Sequence, residues 1–295
     1  MSTTAIANAP TSGSDRQRPL VLCAEQLCKQ FQGANGKVSI ALDNVDFSVH
    51  RRDFVTVIGP SGCGKSTLIR ILAGLEELTS GRVLVEGKPI DGPGPDRGMV
   101  FQNYTLFPWL TVTRNVMFGL RMQGVGKDEA RSQALQWIEM VGLSKCADQY
   151  PHQLSGGMKQ RVAIARALAA KPQVLLMDEP FSALDPHTRM QMQSHLRQIW
   201  RNVNVTIVFI THDLDEALLL GSRVVVLGAA DETHPGGHLK TIIDVPLPSD
   251  RDLSILSDER FRALRLDLDR LVHPPVLVPH EPLPLTRLTP VGDDV

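Results

Sequence analysis

The sequence predicts an α/β fold organised around a phosphate-binding loop, and three observations carry that prediction. Gly59 to Thr67 reads GPSGCGKST and fits the pattern G-x-x-x-x-G-K-[ST]. It is framed by Asp53 to Ile58 (DFVTVI), a β-branched run that reads as a buried strand, and by Thr67 to Ala73 (TLIRILA), a good helix start. Two later apolar runs end in chemically versatile groups. Val174 to Met177 (VLLM) runs into Asp178 and Glu179, and Val205 to Ile210 runs into Thr211, His212 and Asp213. Carboxylates directly beyond a buried strand are costly unless they serve a site, and the carboxyl ends of parallel strands face the ligand crevice.

The loop explains itself chemically. Gly62 and Gly64 let backbone N–H groups turn inward and approach an anion closely. The helix N-terminus adds about half a positive charge at the same point. Lys65 brings a full charge to the β- and γ-phosphates, and Ser66 offers a hydroxyl to Mg²⁺. Cys63 sits at this helix N-terminus beside Lys65, a setting expected to favour its thiolate.

Taken in order, Leu20 to Phe31 and Val38 to His50 alternate apolar and polar residues, as paired antiparallel strands do, with Gly33 to Gly36 as the turn. Phe31 reads as a core residue or as a platform for a base to stack on. Gly81 to Glu86 and Arg97 to Phe101 are further strands, split by the turn-rich Gly87 to Pro95. Helical patterns then cover Thr113 to Gln123 and Lys127 to Val141. Val116, Leu120 and Gln123 share one face; Ala134, Trp137, Ile138 and Val141 share another. Between strand and helices lies an aromatic loop, FQNYTLFPWLT, with Phe107, Pro108 and Trp109. It is either a docking surface or a set of buried anchors.

Leu154 to Arg161 reads LSGGMKQR. Ser155 can cap a helix over Gly157 to Ala170, whose N-terminus is a second anion-ready position. Asp185 caps another helix with Pro186 at its first position and a stripe of Met192, Leu196, Ile199, Trp200 and Val203. Val224 to Leu227 and Leu239 to Ile243 read as closing strands, Asp258 to Val272 as a final amphipathic helix, and His273 to Pro290 as an extended proline-rich tail.

Composition narrows the class. The chain has 295 residues, 42% of them apolar, and a net charge of −1, which argues against a protein held to nucleic acid by bulk electrostatics. Cys23, Cys28, Cys63 and Cys146 have no C-x-x-C spacing and read as reduced thiols. Met1 to Arg18 is polar, without the apolar stretch of a signal peptide, and no run approaches 18 apolar residues.

In combination and order, these motifs resemble the ATPase subunit of an ATP-binding cassette transporter, over about Leu20 to Val245. The resemblance implies a P-loop NTPase (RecA-like) core with an antiparallel β subdomain and an inserted α-helical subdomain that carries the signature. It implies an ATP-binding domain over 19–245 with its helical part at about 103–170; composition and patterning make 1–18 a disordered lead and 246–295 a C-terminal helix and proline-rich tail. It assigns ATP to Gly59, Pro60, Ser61, Gly62, Cys63, Gly64, Lys65, Ser66 and Thr67. It makes Phe31 the aromatic that stacks on adenine, where the family usually has Tyr, in place of the core role that composition favours. Gln102 (in VFQN) becomes the Q-loop glutamine, SALD (Ser182 to Asp185) the D-loop, and His212 the switch histidine. Glu179 becomes the general base, with Asp178, Ser66 and Gln102 toward Mg²⁺. Ser155, Gly156 and Gly157 would close over the nucleotide of a second subunit, which implies a head-to-tail dimer.

LFPWLTVTRNVMFGL and DERFRALRLDLDRLV further resemble importers for nitrate, sulfonates and taurine. That implies a separate membrane permease, a solute-binding protein acting indirectly, no nucleic-acid partner, and a peripheral place on the cytoplasmic face of the membrane. Three rivals fit less well. A non-transport ATPase of the superfamily usually carries a coiled-coil insertion or two cassettes. A small-molecule kinase leaves LSGGMKQR and SALD without a role. A dead scaffold would not keep Lys65, Asp178, Glu179 and His212.

Overall fold

Alternating polarity makes the first two strands a one-sided ribbon. β1 (Leu20–Gln32) and β2 (Val38–His50) pair antiparallel, and residues such as Leu22, Leu27, Leu42 and Val49 are fully buried beneath them. The structure, a computed structural model, describes residues 18–33 and 36–274. The polar lead before Arg18, part of the turn after Gly33, and nearly all of the proline-rich tail therefore lie outside the described residues.

β3 (Phe54–Ile58) is buried along its whole length and leads through the glycine-rich loop into α1 (Lys65–Leu72). β4 (Ser80–Val85), β5 (Lys88–Pro89) and β6 (Arg97–Val100) follow. A helical layer comes next: α2 (Val112–Met122), α3 (Lys127–Met140) and α4 (Gly156–Ala169). The chain then returns to the sheet with β7 (Val174–Asp178), α5 (Pro186–Asn202), β8 (Thr206–Ile210), α6 (Leu214–Leu220), β9 (Arg223–Gly228), β10 (His238–Asp244) and α7 (Glu259–Val272). β2-β1-β4-β5 form one sheet and β10-β9-β3-β8-β7-β6 the other. In the second sheet β6, β7, β8, β3 and β9 run parallel, and only β10 is antiparallel.

Burial on both faces explains why the central strands read as unbroken apolar runs. Along β7, Leu175 and Met177 face the core shared with α2 to α5, while Val174 and Leu176 face the core over α1 and the antiparallel sheet. Along β8, Ile207 and Phe209 divide from Val208 and Ile210 in the same way. A third cluster, including Phe261 and Leu268 of α7, covers β9 from the side of α6. No helix among the described residues is long and apolar enough to cross a membrane.

Three sequence expectations change. α1 begins at Lys65 rather than Thr67, because Gly64 takes a left-handed cap conformation (φ 89°) and lets Lys65 and Ser66 enter the first turn. Gln123 does not share the buried face of Val116 and Leu120; it is exposed and its amide donates to the Ala170 carbonyl at 3.0 Å. α6 was missed altogether, although Asp213 caps it by accepting from the Asp215 and Glu216 amides, with both acids in its first turn.

Candidate active site

The carboxyl ends of parallel β3, β6, β7 and β8 present the predicted residues to one crevice. The loop Gly59–Thr67 leaves β3 there. A Cβ on Gly64 would lie 2.6 Å from both the Ala41 carbonyl oxygen and Leu42, so β2 fits against the loop only because that position is glycine. Ala41 lies two residues from Ser39, the register partner of Phe31, which puts Phe31 on the sheet edge next to the loop. The Phe31 ring is 40% exposed, with Lys29 Nζ 4.6 Å from its centre, as suits a stacking face better than a core residue. Lys65 is buried, and its ammonium donates to the carbonyls of Gly59 at 2.8 Å and Pro60 at 3.0 Å.

Cys63 departs from expectation. It is fully buried, and desolvation pushes its thiol pKa up; the neighbouring Lys65 opposes this but does not win. The sequence shows the cation and the helix N-terminus but not the burial.

β7 ends on the half-buried carboxylate of Asp178. Burial, and next the charge of Glu179, raise its pKa; Arg70 and Lys65 pull it back. The next residue, Glu179, sits at φ 42°, a region that costs a side chain of this kind on the order of 1–3 kcal/mol. Its amide donates to the Ile210 carbonyl at 3.1 Å, tying the strained residue to β8. His212, just beyond β8, brings Nδ1 to 3.2 Å from Glu179 Oε2. Gln102 joins through Ser182: its Nε2 donates to Ser182 Oγ at 3.0 Å, and that hydroxyl donates to the Glu179 carbonyl at 2.9 Å. The Ser66 hydroxyl, the Asp178 carboxylate and the Gln102 side-chain carbonyl are oxygen donors of the hard kind that Mg²⁺ takes.

Sequence reasoning missed the support beneath His212. Glu216 of α6 is buried and accepts from Gln193 Nε2 at 3.0 Å and from the Thr211 hydroxyl. The Thr211 oxygen also accepts from the Asp213 amide at 3.0 Å, which fixes the turn holding His212. The capping pattern of Asp213 was the available signal.

The signature stretch does not pack on its own loop. Ser155 caps α4 by accepting from the Met158 amide at 3.4 Å, but a side chain on Gly156 would meet Tyr104 and Leu184, and one on Gly157 would meet Thr188. The aromatic loop is likewise resolved. Buried Asn115 accepts from the Phe107 amide and donates to the carbonyls of Phe107, Leu110 and Thr111 at 2.9–3.1 Å. Arg166 of α4 donates to the Thr105 carbonyl at 2.8 Å. On this rigid support Trp109 is 69% exposed, which removes the buried-anchor reading for it, while Phe107 is half-buried, its ring centre 4.5 Å from that of Phe118 at a tilt of 45°.

A model described as ABC transporter matches residues 42–182. The chain is 49% identical over 257 residues to an uncharacterized ABC transporter ATP-binding protein of Methanocaldococcus jannaschii, covering 83% of this chain and 94% of the relative. It is 47% identical over 226 residues to a nitrate import ATP-binding protein of Synechocystis, covering 77% and 83%. Among solved structures it is similar to a dimeric, post-hydrolysis state of an ATP-binding cassette bound to ADP and Pi. The TM-score is 0.66 and the identity 30%, over 77% of this chain and 100% of that one.

The burial of Cys63 makes a prediction. Under native conditions a small alkylating reagent should modify Cys63 last among the four cysteines, and rapidly only after unfolding. Peptide mass spectrometry over time reads this directly, and fast native labelling of Cys63 would contradict the burial argument.

Proposed function

The chain belongs to the ABC transporter family and is an ATPase of that family, and we propose that it energises an importer for a small anionic solute such as nitrate, a sulfonate or taurine. The observation that carries the catalytic part is the strained Glu179, next to Asp178 at the end of β7 and 3.2 Å from His212. In this reading residues 19–245 form the ATP-binding domain, with a helical part at about 103–170.

ATP hydrolysis is positioning plus charge stabilisation. The loop amides from Gly59 to Thr67 and Lys65 bind the β,γ-phosphates, and Phe31 stacks on adenine. Ser66, Asp178 and Gln102 would hold Mg²⁺, which when bound neutralises charge on the phosphates. Glu179 orients and polarises the attacking water, and His212 steadies Glu179 and contacts the γ-phosphate. Ser155, Gly156 and Gly157 close over the nucleotide of a second copy, which suits a signature that packs away from its own loop. The dimeric state of the solved relative supports the same pairing. A membrane permease docks on Trp109, Phe107 and Phe118, and the chain sits peripherally on the cytoplasmic face beside it. The anionic solute rests on the nitrate import relative and on LFPWLTVTRNVMFGL.

Glu179→Gln should keep ATP binding and lower hydrolysis by roughly 10²–10⁴-fold, the range for losing a general base. It should also accumulate an ATP-bound dimer on size exclusion; near-normal turnover would remove Glu179 from that role. Trp109→Ala should weaken assembly with the permease by about 2 kcal/mol or more. Because Trp109 is exposed, the melting midpoint of the isolated chain should barely move. A large drop in midpoint with unchanged assembly would reject the docking role. Titrating the cognate solute-binding protein with nitrate, taurine and an alkyl sulfonate tests the solute, and binding of none of them would withdraw the anionic reading.

A further inference from the structure

The loop 229–237 between β9 and β10 lies outside the nucleotide machinery, yet with the first residue of β10 it gathers three metal-ligating side chains. Asp231, His234 and His238 offer ligand atoms that all lie within 4.8 Å of one another. Among the described residues this is the one group of three or more His, Cys, Asp or Glu with that property. We propose that these three residues form a binding site for a first-row divalent transition ion, with Zn²⁺ the best chemical match.

The donor set argues for the class. Two imidazoles and one carboxylate suit Zn²⁺ and its neighbours and are poorly matched to Mg²⁺ or Ca²⁺, which take oxygen. The spacing argues for the geometry. His234 Nδ1 lies 3.3 Å from Asp231 Oδ1, and His238 Nε2 lies 3.6 Å from Asp231 Oδ2. Bonds of about 2.0–2.1 Å to a tetrahedral ion put neighbouring ligands roughly 3.3 Å apart. The two rings are stacked 3.9 Å apart at 15°, side by side against the same carboxylate.

The ligands are also held. His238 is buried, and its ring fills the space a Cβ on Gly228 would need. Its Nδ1 donates to the Gly236 carbonyl at 3.4 Å, which leaves Nε2 with the lone pair, the outer hydrogen bond that ligating histidines use. The Asp231 carboxylate accepts from the amides of Thr233 and His234, both at 2.8 Å. Three protein ligands leave a fourth position for water.

The position gives an ion there a structural consequence. Gly237, between His234 and His238, lies so close to the phosphate loop that a Cβ would fall 2.0 Å from the Cys63 carbonyl oxygen. Its own carbonyl accepts from the Asp43 amide at 2.8 Å. An ion joining the two ends of this loop braces one wall of the phosphate loop.

The test uses the full chain, free of any purification tag and of nucleotide, titrated with Zn²⁺ and with Co²⁺ in the presence of excess Mg²⁺. Wild type should bind one tight equivalent, show the visible absorption of a low-symmetry Co²⁺ site, and melt at a higher temperature with the ion than without it. His234→Ala and Asp231→Asn should each bind that equivalent at least about 100-fold more weakly, the upper end of what losing an outer hydrogen-bond partner alone costs. Metal-free melting curves report whether each variant folds. Should His234→Ala fail to fold, Asp231→Asn, at an exposed position, decides. No tight equivalent in wild type would overturn the proposal. So would variants that bind as wild type does, which would place the ion elsewhere, for instance on Glu179 and His212.

Discussion

The structure depends on how closely backbone can approach the phosphate loop. β2 reaches the loop at Gly64 and the β9–β10 loop reaches it at Gly237, each at distances that exclude a Cβ. Such contacts hold the loop amides in place before any anion arrives, so their dipoles need little reorganisation on binding. β3 sits between β8 and β9 in the sheet, so the strand feeding the loop is anchored on both edges.

That rigidity sets the terms for the carboxylates. Asp178 stands where burial penalises its charge, and the adjacent Glu179 carboxylate raises its pKa further. A dication is the partner that two adjacent carboxylates favour. Glu179 keeps its left-handed backbone because its amide, its carbonyl and its carboxylate are each engaged, by β8, by Ser182 and by His212. Strain at one residue is thus carried by two stretches of chain, Ser182 just downstream and the end of β8 with His212 beyond it.

A similar economy holds in the aromatic loop. Asn115 satisfies four backbone groups of the loop at once, and Arg166 ties its start to the signature helix. With its backbone hydrogen bonds made internally, the loop can leave Trp109 in solvent without losing its shape. The same few residues connect β6, which Gln102 follows, to α4, which Ser155 caps.

What the sequence determined was local. The order GPSGCGKST between strand and helix, the apolar runs ending in Asp178 and His212, and the caps at Ser155 and Asp185 are legible because turn chemistry and periodicity act over a few residues. What only the tertiary structure decided were the properties set by surfaces far apart in the chain. Cys63 is a buried thiol because elements on either side close over it; Trp109 is exposed because Asn115 and Arg166 support its loop from below. The support that Gln193 and Glu216 give His212 needs two helices to meet, and the gathering of Asp231, His234 and His238 needs a loop folded back on itself against Cys63. Desolvation and close approach depend on which surfaces meet in space, and no local pattern of residue types encodes that.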